Sequence, residues 1–542
     1  WLRYDALGRL IRTDLPNGTF SNVVFDPWKQ TTFDPNDNVA PLDPDDTAGE
    51  SLWYQARKGL DPVTDPEGRA AKLAHAHRGT PGVAHLDALG RTFLTIEDNG
   101  AAGAYPTRLS LDLEGNPLVI TDARLNTAMQ HTFGMGGRVL RQKSCDAGER
   151  WMLSDVGGAL LRAWDERLHT KRATYDAARR ATHQYVQQGA AAEQLVGRTV
   201  YGEGHPDAAV LNLRGKPYQV YDGAGVVTSG AYDFKGNLLA SSRRLAADYQ
   251  AVPDWSPLAG LTDVAVIATA AEALLEAEVF TSATTYDALN RPTSMTTPDS
   301  SEIRPTYNEA GLLEKVEARV RGAVTWTTFV DDIDYDAKGQ REEIVYGNGT
   351  RTTYTYDPET FRLVHLKTVR DNGTVTDSDD VVLQNLTYTY DPVGNITEIK
   401  DSAQQTVFFD NDVVSPSTQY VYDALYRLIE ATGREHAGGM ADVQRDQNDV
   451  PLLNLPHAND ALALRNYVES YVYDEVGNIL TMRHKAGAVD WTRRYEIAAT
   501  SNRLLSTSLP GETAAPYSAT YGYDVHGSMT AMPHLPSIGW DN

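Results

Sequence analysis

An all-β fold is predicted by three features of this 542-residue sequence: a Tyr-Asp dipeptide that recurs from one end to the other, period-2 alternation beside it, and Asn-Gly pairs between alternating runs. The dipeptide occurs eleven times, from Tyr4-Asp5 to Tyr523-Asp524, where chance would give about two or three. Several copies continue as Tyr-Asp-x-x-Gly-(Asn/Arg/Gln)-apolar, as in Tyr4-Asp5-Ala6-Leu7-Gly8-Arg9-Leu10, Tyr232 to Leu238 and Tyr473 to Ile479. Degenerate copies begin at Leu86-Asp87, Leu111-Asp112 and Tyr307-Asn308, and Phe25-Asp26-Pro27 is a shorter echo. Tyr286 to Tyr307 and Tyr335 to Tyr356 are each 21 residues apart, whereas Tyr422 to Tyr473 spans 51 and implies an insertion.

Each position of the unit has a physical reason. An Asp opening a turn accepts hydrogen bonds from backbone N–H groups two residues on. The Gly supplies a positive φ that other residues reach only with strain. The apolar residue restarts a strand, and the Tyr ends the previous one with a ring to bury and a hydroxyl to satisfy. The flanks agree: Thr353 to Tyr356 and Leu386 to Tyr390 alternate and are rich in β-formers. Asn17-Gly18, Asn348-Gly349 and Asn372-Gly373 are hairpin signals.

Two stretches break this pattern and read as helical insertions. In 65–79, Asp65 is an N-cap, Pro66 stands at the first helical position and Gly79 follows the end. In 262–280, Val264, Ile267, Ala271, Leu274 and Leu275 fall on helical spacing. Both are expected to lie on a sheet as packing elements.

Composition narrows the function. Hydrophobic residues make up 41%, enough for a sizeable core and incompatible with disorder throughout. A net charge of −24 argues against nucleic acid and anionic membranes as partners. The most apolar stretch, Val264 to Phe280, carries Glu272, Glu276 and Glu278, so no membrane span is expected. Cys145 is the single cysteine, which excludes an intrachain disulfide and reads as a small hydrophobe. The sequence opens at Trp1 and stops at Asn542, and is read as an internal piece of a longer polypeptide.

The Tyr-Asp-x-x-Gly unit resembles the YD repeat of Rhs proteins, teneurins, and the B and C components of bacterial Tc toxin complexes. Longer phrases look like the shell region of the Tc toxin B component (SpvB/TcB-like) and of the C component. They are Phe25 to Thr31, Gly148 to Leu153, Tyr218 to Gly225, and Thr285 to Pro292. The resemblance covers essentially residues 1–542. It implies a β-sheet spiral forming part of a hollow, cocoon-like shell around a C-terminal toxic effector. It also implies other toxin-complex subunits as partners and a secreted, extracellular location. The family's self-cleaving core lies beyond the last repeat. This sequence ends soon after Asp524 without its signature, so no autoproteolytic residue is carried over, and no propeller-like repeat is found.

Candidate chemistry is sparse. His75, His77 and His85 are the one local histidine cluster, but on a helix His75 and His77 diverge. Asp34-Pro35-Asn36-Asp37-Asn38 mimics the start of a calcium loop, yet its sixth position is Val39 and its twelfth Asp45. Asp43, Asp45 and Asp46 add charge nearby, and Asp377-Ser378-Asp379-Asp380 has the same standing. Asn385-Leu386-Thr387 and Asn395-Ile396-Thr397 match glycosylation sequons and read as turn and strand residues. No nucleophile elbow, Walker A loop or His-Glu-x-x-His motif is present. No catalytic, cofactor-binding or metal-ligating residue is assigned, and no cofactor is expected.

The leading expectation is therefore a non-enzymatic shell segment that shields an enclosed effector, with part of the acidic surplus facing a basic cargo. The rival is a carbohydrate-binding or adhesive surface protein using exposed Tyr and Trp. Rings spent on repeat-to-repeat contacts favour the shell, and rings clustered in an outer groove favour adhesion. An enzyme built on an Asp/Glu pair is a third, weaker alternative, which a cleft with two close, shielded carboxylates would raise.

Overall fold

The computed structural model describes residues 1–42, 49–370, 381–437 and 462–540. Strands dominate, as the repeat predicts. Among the described residues there are three α-helices: α1 (Leu52–Arg57), α2 (Pro66–Ala76) and α3 (Val264–Ala271). The hairpin signal at Asn372-Gly373 and the acidic run 377–380 lie outside the described residues, as do Asp43, Asp45 and Asp46.

The chain divides into two compact units. Unit 1 comprises Trp1–Gly148, Thr353–Arg370 and Asp380–Gly539, and unit 2 comprises Glu149–Thr352, Asp371–Asp379 and Trp540–Asn542. In unit 1, the ten strands from Leu2–Tyr4 to Val139–Ser144 pair antiparallel, each with the next in sequence. A second run, from Leu363–Arg370 to Ala519–Thr520, also pairs antiparallel in chain order, except that Ile396–Asp401 pairs Ser417–Tyr422 past a separate hairpin of Val407–Phe409 and Asp412–Val414. The strands of unit 2 follow the same rule from Gly148–Ser154 to Arg341–Tyr346. Strict up-and-down pairing has one consequence for the motif. All Tyr-Asp turns of a run fall on one rim of its sheet, and the intervening turns fall on the opposite rim.

Most strand residues are only half-buried, because a two-sided sheet needs a cover to make a core. The two clusters of buried apolar side chains sit at the insertions. In unit 1, Trp53 of α1 and Ala70, Ala71 and Ala74 of α2 pack together with Val39. In unit 2, residues 246–279 lay Trp255, Leu258, Ile267, Ala271 and Leu275 over Leu195, Val200, Tyr221 and Val226. The Trp255 ring meets Tyr221 edge-on at 5.1 Å, and its Nε1 donates to the Asp222 carbonyl at 3.1 Å.

The insertions match their sequence signals at the start and differ at the end. Asp65 Oδ1 accepts from the backbone N–H groups of Glu67 and Gly68, with Pro66 at the first helical position. Asp263 caps α3 likewise, through Ala265 and Val266. The helix expected across 262–280 is shorter: α3 stops at Ala271, a single 3₁₀ turn covers Glu272–Leu274, and Leu275 is extended. The cause is tertiary. Leu275 is buried and bridges Ala246 as a β-pair, which pulls the chain out of helical geometry. Helix α1 has no counterpart in the sequence reading; Ser51 caps it and burial of Trp53 holds it.

Candidate functional site

The repeated turn is built by its own aspartate. Asp87 Oδ1 accepts from the N–H groups of Leu89 and Arg91, both at 2.9 Å, while Oδ2 accepts from Arg91 Nε at 2.8 Å. Asp233 does the same with Lys235, Asn237 and the Asn237 amide. The Asn/Arg after the glycine is therefore the carboxylate's side-chain partner, a role that the motif's spacing alone does not assign. The Arg91 guanidinium holds the Asp87 carboxyl below its usual range, and the Asn116 amide does so for Asp112.

Consecutive turns are stitched together. Tyr175, Tyr335, Tyr390 and Tyr473 donate their hydroxyls to the carbonyls of Leu160, Leu313, Leu363 and Leu428, each at 2.7 Å. Each acceptor is the residue that restarts a strand in the preceding turn. In return, Arg180, Arg291 and Arg427 stack on Tyr201, Tyr307 and Tyr473 of the following unit at 3.9, 4.5 and 5.0 Å. These tyrosines thus spend ring or hydroxyl on the neighbouring repeat, whereas Tyr4, in the first repeat, is 55% exposed.

The functional geometry of unit 1 is a seam between its two runs of strands. Tyr-Asp turns of the second run dock on opposite-rim turns of the first. Asn36 Nδ2 donates to Asp391 Oδ2 at 2.9 Å. Asn99 Nδ2 donates to Asp423 Oδ2 at 3.3 Å, and Asn99 Oδ1 accepts from the Ala424 N–H at 3.0 Å. Arg124 Nη1 lies 3.3 Å from Asp474 Oδ2, and Arg124 Nη2 donates to the Ser501 carbonyl at 2.9 Å. Asp146 accepts from the Asn502 N–H at 2.6 Å and from its Nδ2 at 3.0 Å. These ties recur at every second strand, so their spacing is about 10 Å.

The loop that mimicked a calcium site is one end of this seam. Asp34 Oδ1 accepts from the Asn36 and Asp37 N–H groups, and Asp34 Oδ2 accepts from the Tyr426 hydroxyl. Asp37 accepts from the Asp34 N–H at 2.9 Å and the Thr80 N–H at 2.8 Å. Burial, reinforced by the Asp34 charge, pushes the Asp37 carboxyl up to about 6. Burial and Asp34 also push the Tyr426 hydroxyl well above its ordinary value. Among the described residues no group of three or more His, Cys, Asp or Glu side chains is placed to hold a metal ion.

The other sequence candidates separate. His75 stacks on Tyr54 at 5.4 Å, and His77 Nε2 meets the Tyr422 carbonyl at 2.9 Å. His85 lies in strand Gly82–Leu86, tilted against Phe93. Cys145 is half-buried, and burial with the Asp146 charge raises its thiol pKa. Asn385 stands in strand Val381–Tyr390, and the Asn395 amide donates to Asp391. A polar knot escaped the sequence reading. Buried His484 lies with Nε2 3.1 Å from Glu435 and Nδ1 3.2 Å from Glu469, between the rings of Tyr467 and Trp491. Period-2 spacing places these residues on one face of neighbouring strands, but their pairing is a matter of register across Leu428–His436, Leu464–Tyr473 and Ile479–Ala486.

Comparison with known proteins decides the family. No family model matches the chain. Toxin subunit YenC2 of Yersinia entomophaga is 30% identical over 443 residues, covering 77% of this chain and 44% of that protein. Toxin subunit YenC1 of the same organism is 28% identical over 456 residues, covering 80% and 45%. The crystal structure of TcdB2-TccC3-TEV superposes with a TM-score of 0.80 at 26% identity, over 100% of this chain and 24% of that one. The chain is a shell segment of the Tc toxin type. A Photorhabdus luminescens Tc holotoxin pore structure agrees, with a TM-score of 0.81 and the same identity and coverage. This Tc-type segment spans less than half the length of the curated relatives it matches. Among its described residues, no helix is long and apolar enough to cross a membrane.

Proposed function

We propose that this segment is a non-catalytic part of a closed wall which, with another shell subunit, encloses a toxic effector polypeptide until delivery outside the producing cell. The observation that carries the reading is the seam of unit 1. Turns separated by more than 300 residues are tied at a fixed spacing, which makes two runs of strands into one continuous surface. A wall of this kind excludes proteases by continuous strand pairing within each run and by side-chain ties across the seam. Part of the −24 net charge is assigned to the face that meets the cargo, where it would hold a basic polypeptide weakly.

The adhesive alternative loses support because the repeat tyrosines are engaged in the stitches described above. An enzymatic role finds no support in the seam, whose carboxylates are held by turn N–H groups, amides and guanidinium groups. The test is limited proteolysis of the complete toxin with and without Asn36→Asp/Arg124→Glu, which sets like charges against Asp391 and Asp474. The expected outcome is an effector resistant to protease in the parent and cleaved at least tenfold faster in the variant. Equal protection in both would remove the containment reading.

A further inference from the structure

The structure assigns a small-oxyanion site to unit 2, at a cavity where Arg198 supplies the positive charge and inorganic phosphate or sulfate is the ligand. The site stands apart from the containment reading, and its test succeeds or fails without it.

The cavity has a volume of about 250 Å³. Three neighbouring strands, Ala181–Gln188, Gln194–Tyr201 and Pro217–Asp222, wall it through residues 181–184, 196–199 and 220–222, with Gly223 beside them. Val252 of the insertion completes the lining. His183, Arg198 and Tyr221 form one row across these strands, since His183 pairs with Arg198 and Arg198 with Tyr221.

Arg198 is the anomaly of the row. It is 6% exposed. Its Nη2 donates to the Leu261 carbonyl, whereas Nε and Nη1 are buried without a partner. The charged groups that act on it are the Tyr221 and Tyr185 hydroxyls, with no carboxylate among them, and burial lowers its pKa. Buried donors are almost always paired, and a buried cation without a counter-charge is costlier still.

The rest of the lining does not answer that charge. Asp222 has its carboxylate engaged elsewhere: Oδ1 accepts from Arg243 Nη2 at 2.7 Å and from the Ala224 N–H at 2.8 Å, and Oδ2 accepts from Arg243 Nη1 at 2.9 Å. The Tyr221 hydroxyl donates to Gln219 Oε1 at 3.1 Å. His183 Nδ1 lies 3.1 Å from the Thr174 hydroxyl and 3.0 Å from that of Thr182. Burial, and then the Arg198 charge, hold the His183 ring below its ordinary pKa, so it stays neutral and is no rival cation. What remains is one guanidinium with two spare charged donors beside an empty space. Water can fill the space but cannot cancel the charge. A small oxyanion does both, because it brings a full negative charge and several acceptor oxygens to charge-assisted hydrogen bonds.

The test uses the complete polypeptide that carries this chain. Anions released on denaturing the purified protein are counted by ion chromatography. Amide exchange is then timed by mass spectrometry in phosphate, in sulfate, in acetate and in chloride at equal ionic strength. The expected result is equimolar release of phosphate or sulfate, or, in protein prepared free of both, exchange across 194–201 and 217–222 at least threefold slower in phosphate or sulfate than in chloride. Arg198→Met should abolish the release and the slowing. Urea unfolding separates a ligand role from packing: Arg198→Met should fall below the parent in phosphate only, and an equal loss in chloride overturns the assignment. Should Arg198→Met fail to fold, Arg198→Lys carries the comparison. It keeps the charge without the guanidinium and should bind phosphate at least tenfold more weakly, and unchanged affinity overturns the assignment. A parent that neither releases an anion nor responds to one also overturns it. Slowing by acetate alone would give the site to a carboxylate and overturn the inorganic ligand.

Discussion

Replacing Asp391 by Ala separates a seam turn from an ordinary one. The Asp391 carboxylate accepts four hydrogen bonds: Gly394 N–H at 2.7 Å, Asn395 N–H at 2.8 Å, Asn395 Nδ2 at 2.8 Å and Asn36 Nδ2 at 2.9 Å. Its side chain is almost fully buried, as is Asn36. Truncation leaves donors that water cannot reach, at about 1–3 kcal/mol for each buried group left without a partner. With Asn36 and one turn N–H stranded, the expected loss is about 3–5 kcal/mol. Asp5 makes the equivalent turn with Leu7, Arg9 and the Arg9 guanidinium, but in the open, where water replaces the lost acceptor. Asp5→Ala should therefore cost much less. Hydrogen exchange read by mass spectrometry localises the effect. Asp391→Ala should accelerate exchange in segment 381–401 and, across the seam, in 29–39, whereas Asp5→Ala should act only on 2–14. Asp391→Asn should recover about half the loss, because Asn36 Oδ1 has no partner and can accept from the new amide if Asn36 flips. In a double-mutant cycle, Asn36→Ala and Asp391→Ala should couple by about 1–2 kcal/mol. Equal effects of Asp391→Ala and Asp5→Ala on their own segments, or zero coupling across the cycle, would refute the seam as an energetic contact.

Three further outcomes are expected. Asp37, raised to about 6 in the fold from 3.8, favours its neutral form, so its contribution is fully present below about pH 3.8 and is lost as pH rises through 6. The window corresponds to about 3 kcal/mol; Asp37→Asn should flatten the stability difference between pH 4 and 7, and a slope unchanged from the parent in urea titrations contradicts this. Leu125 and Asn290 hold positive φ (67° and 64°) in turns where other copies carry Gly, so Leu125→Gly should raise stability by about 0.5–1 kcal/mol and Asn290→Gly by less, since Asn tolerates that region. A loss in thermal melting on Leu125→Gly counts against the strain argument. Tyr473→Phe removes the hydroxyl that donates to the Leu428 carbonyl at 2.7 Å and should cost about 1 kcal/mol; no change in exchange across 428–436 would mean that the stitch carries nothing.

What the sequence makes legible follows the range of each interaction. The Asp turn is legible because its acceptor and donors lie within four residues, so Asp5, Asp87 and Asp233 announce themselves. The helix start at Asp65-Pro66 is local in the same way. The end of α3 is not, because Leu275 answers to Ala246 across the insertion rather than to its own helical phase. Helix α1 is six residues, too short for periodicity, and depends on Trp53 finding a cover. The seam escapes entirely: Asn36, Asn99 and Arg124 are ordinary turn residues until Asp391, Asp423 and Asp474 arrive beside them. The loop at Asp34–Asn38 resembled a cation site because both uses gather carboxylates. Here the neighbours are N–H groups and a tyrosine hydroxyl.

The long reach of the seam also dictates how it comes apart. The ties join residues 355, 324 and 356 positions apart. Closing one loop of that length costs about 5 kcal/mol in chain entropy. Once one tie is made, the next joins turns that the sheet already holds one two-strand step away, so it adds little further closure cost. The first tie is thus the expensive one and later ties are nearly free of that term. Losing Asp391 alone should therefore open the seam locally at 29–39 and 381–401, while Asn99–Asp423 and Arg124–Asp474 keep the two runs in register. Breaking all the ties together should release the full closure entropy and separate the runs in one step. A wall that resists single lesions but yields to a concerted one suits containment followed by release, and it distinguishes this seam from an independent set of surface hydrogen bonds. For an independent set, exchange rates at the neighbouring ties would not depend on how many others had already been removed.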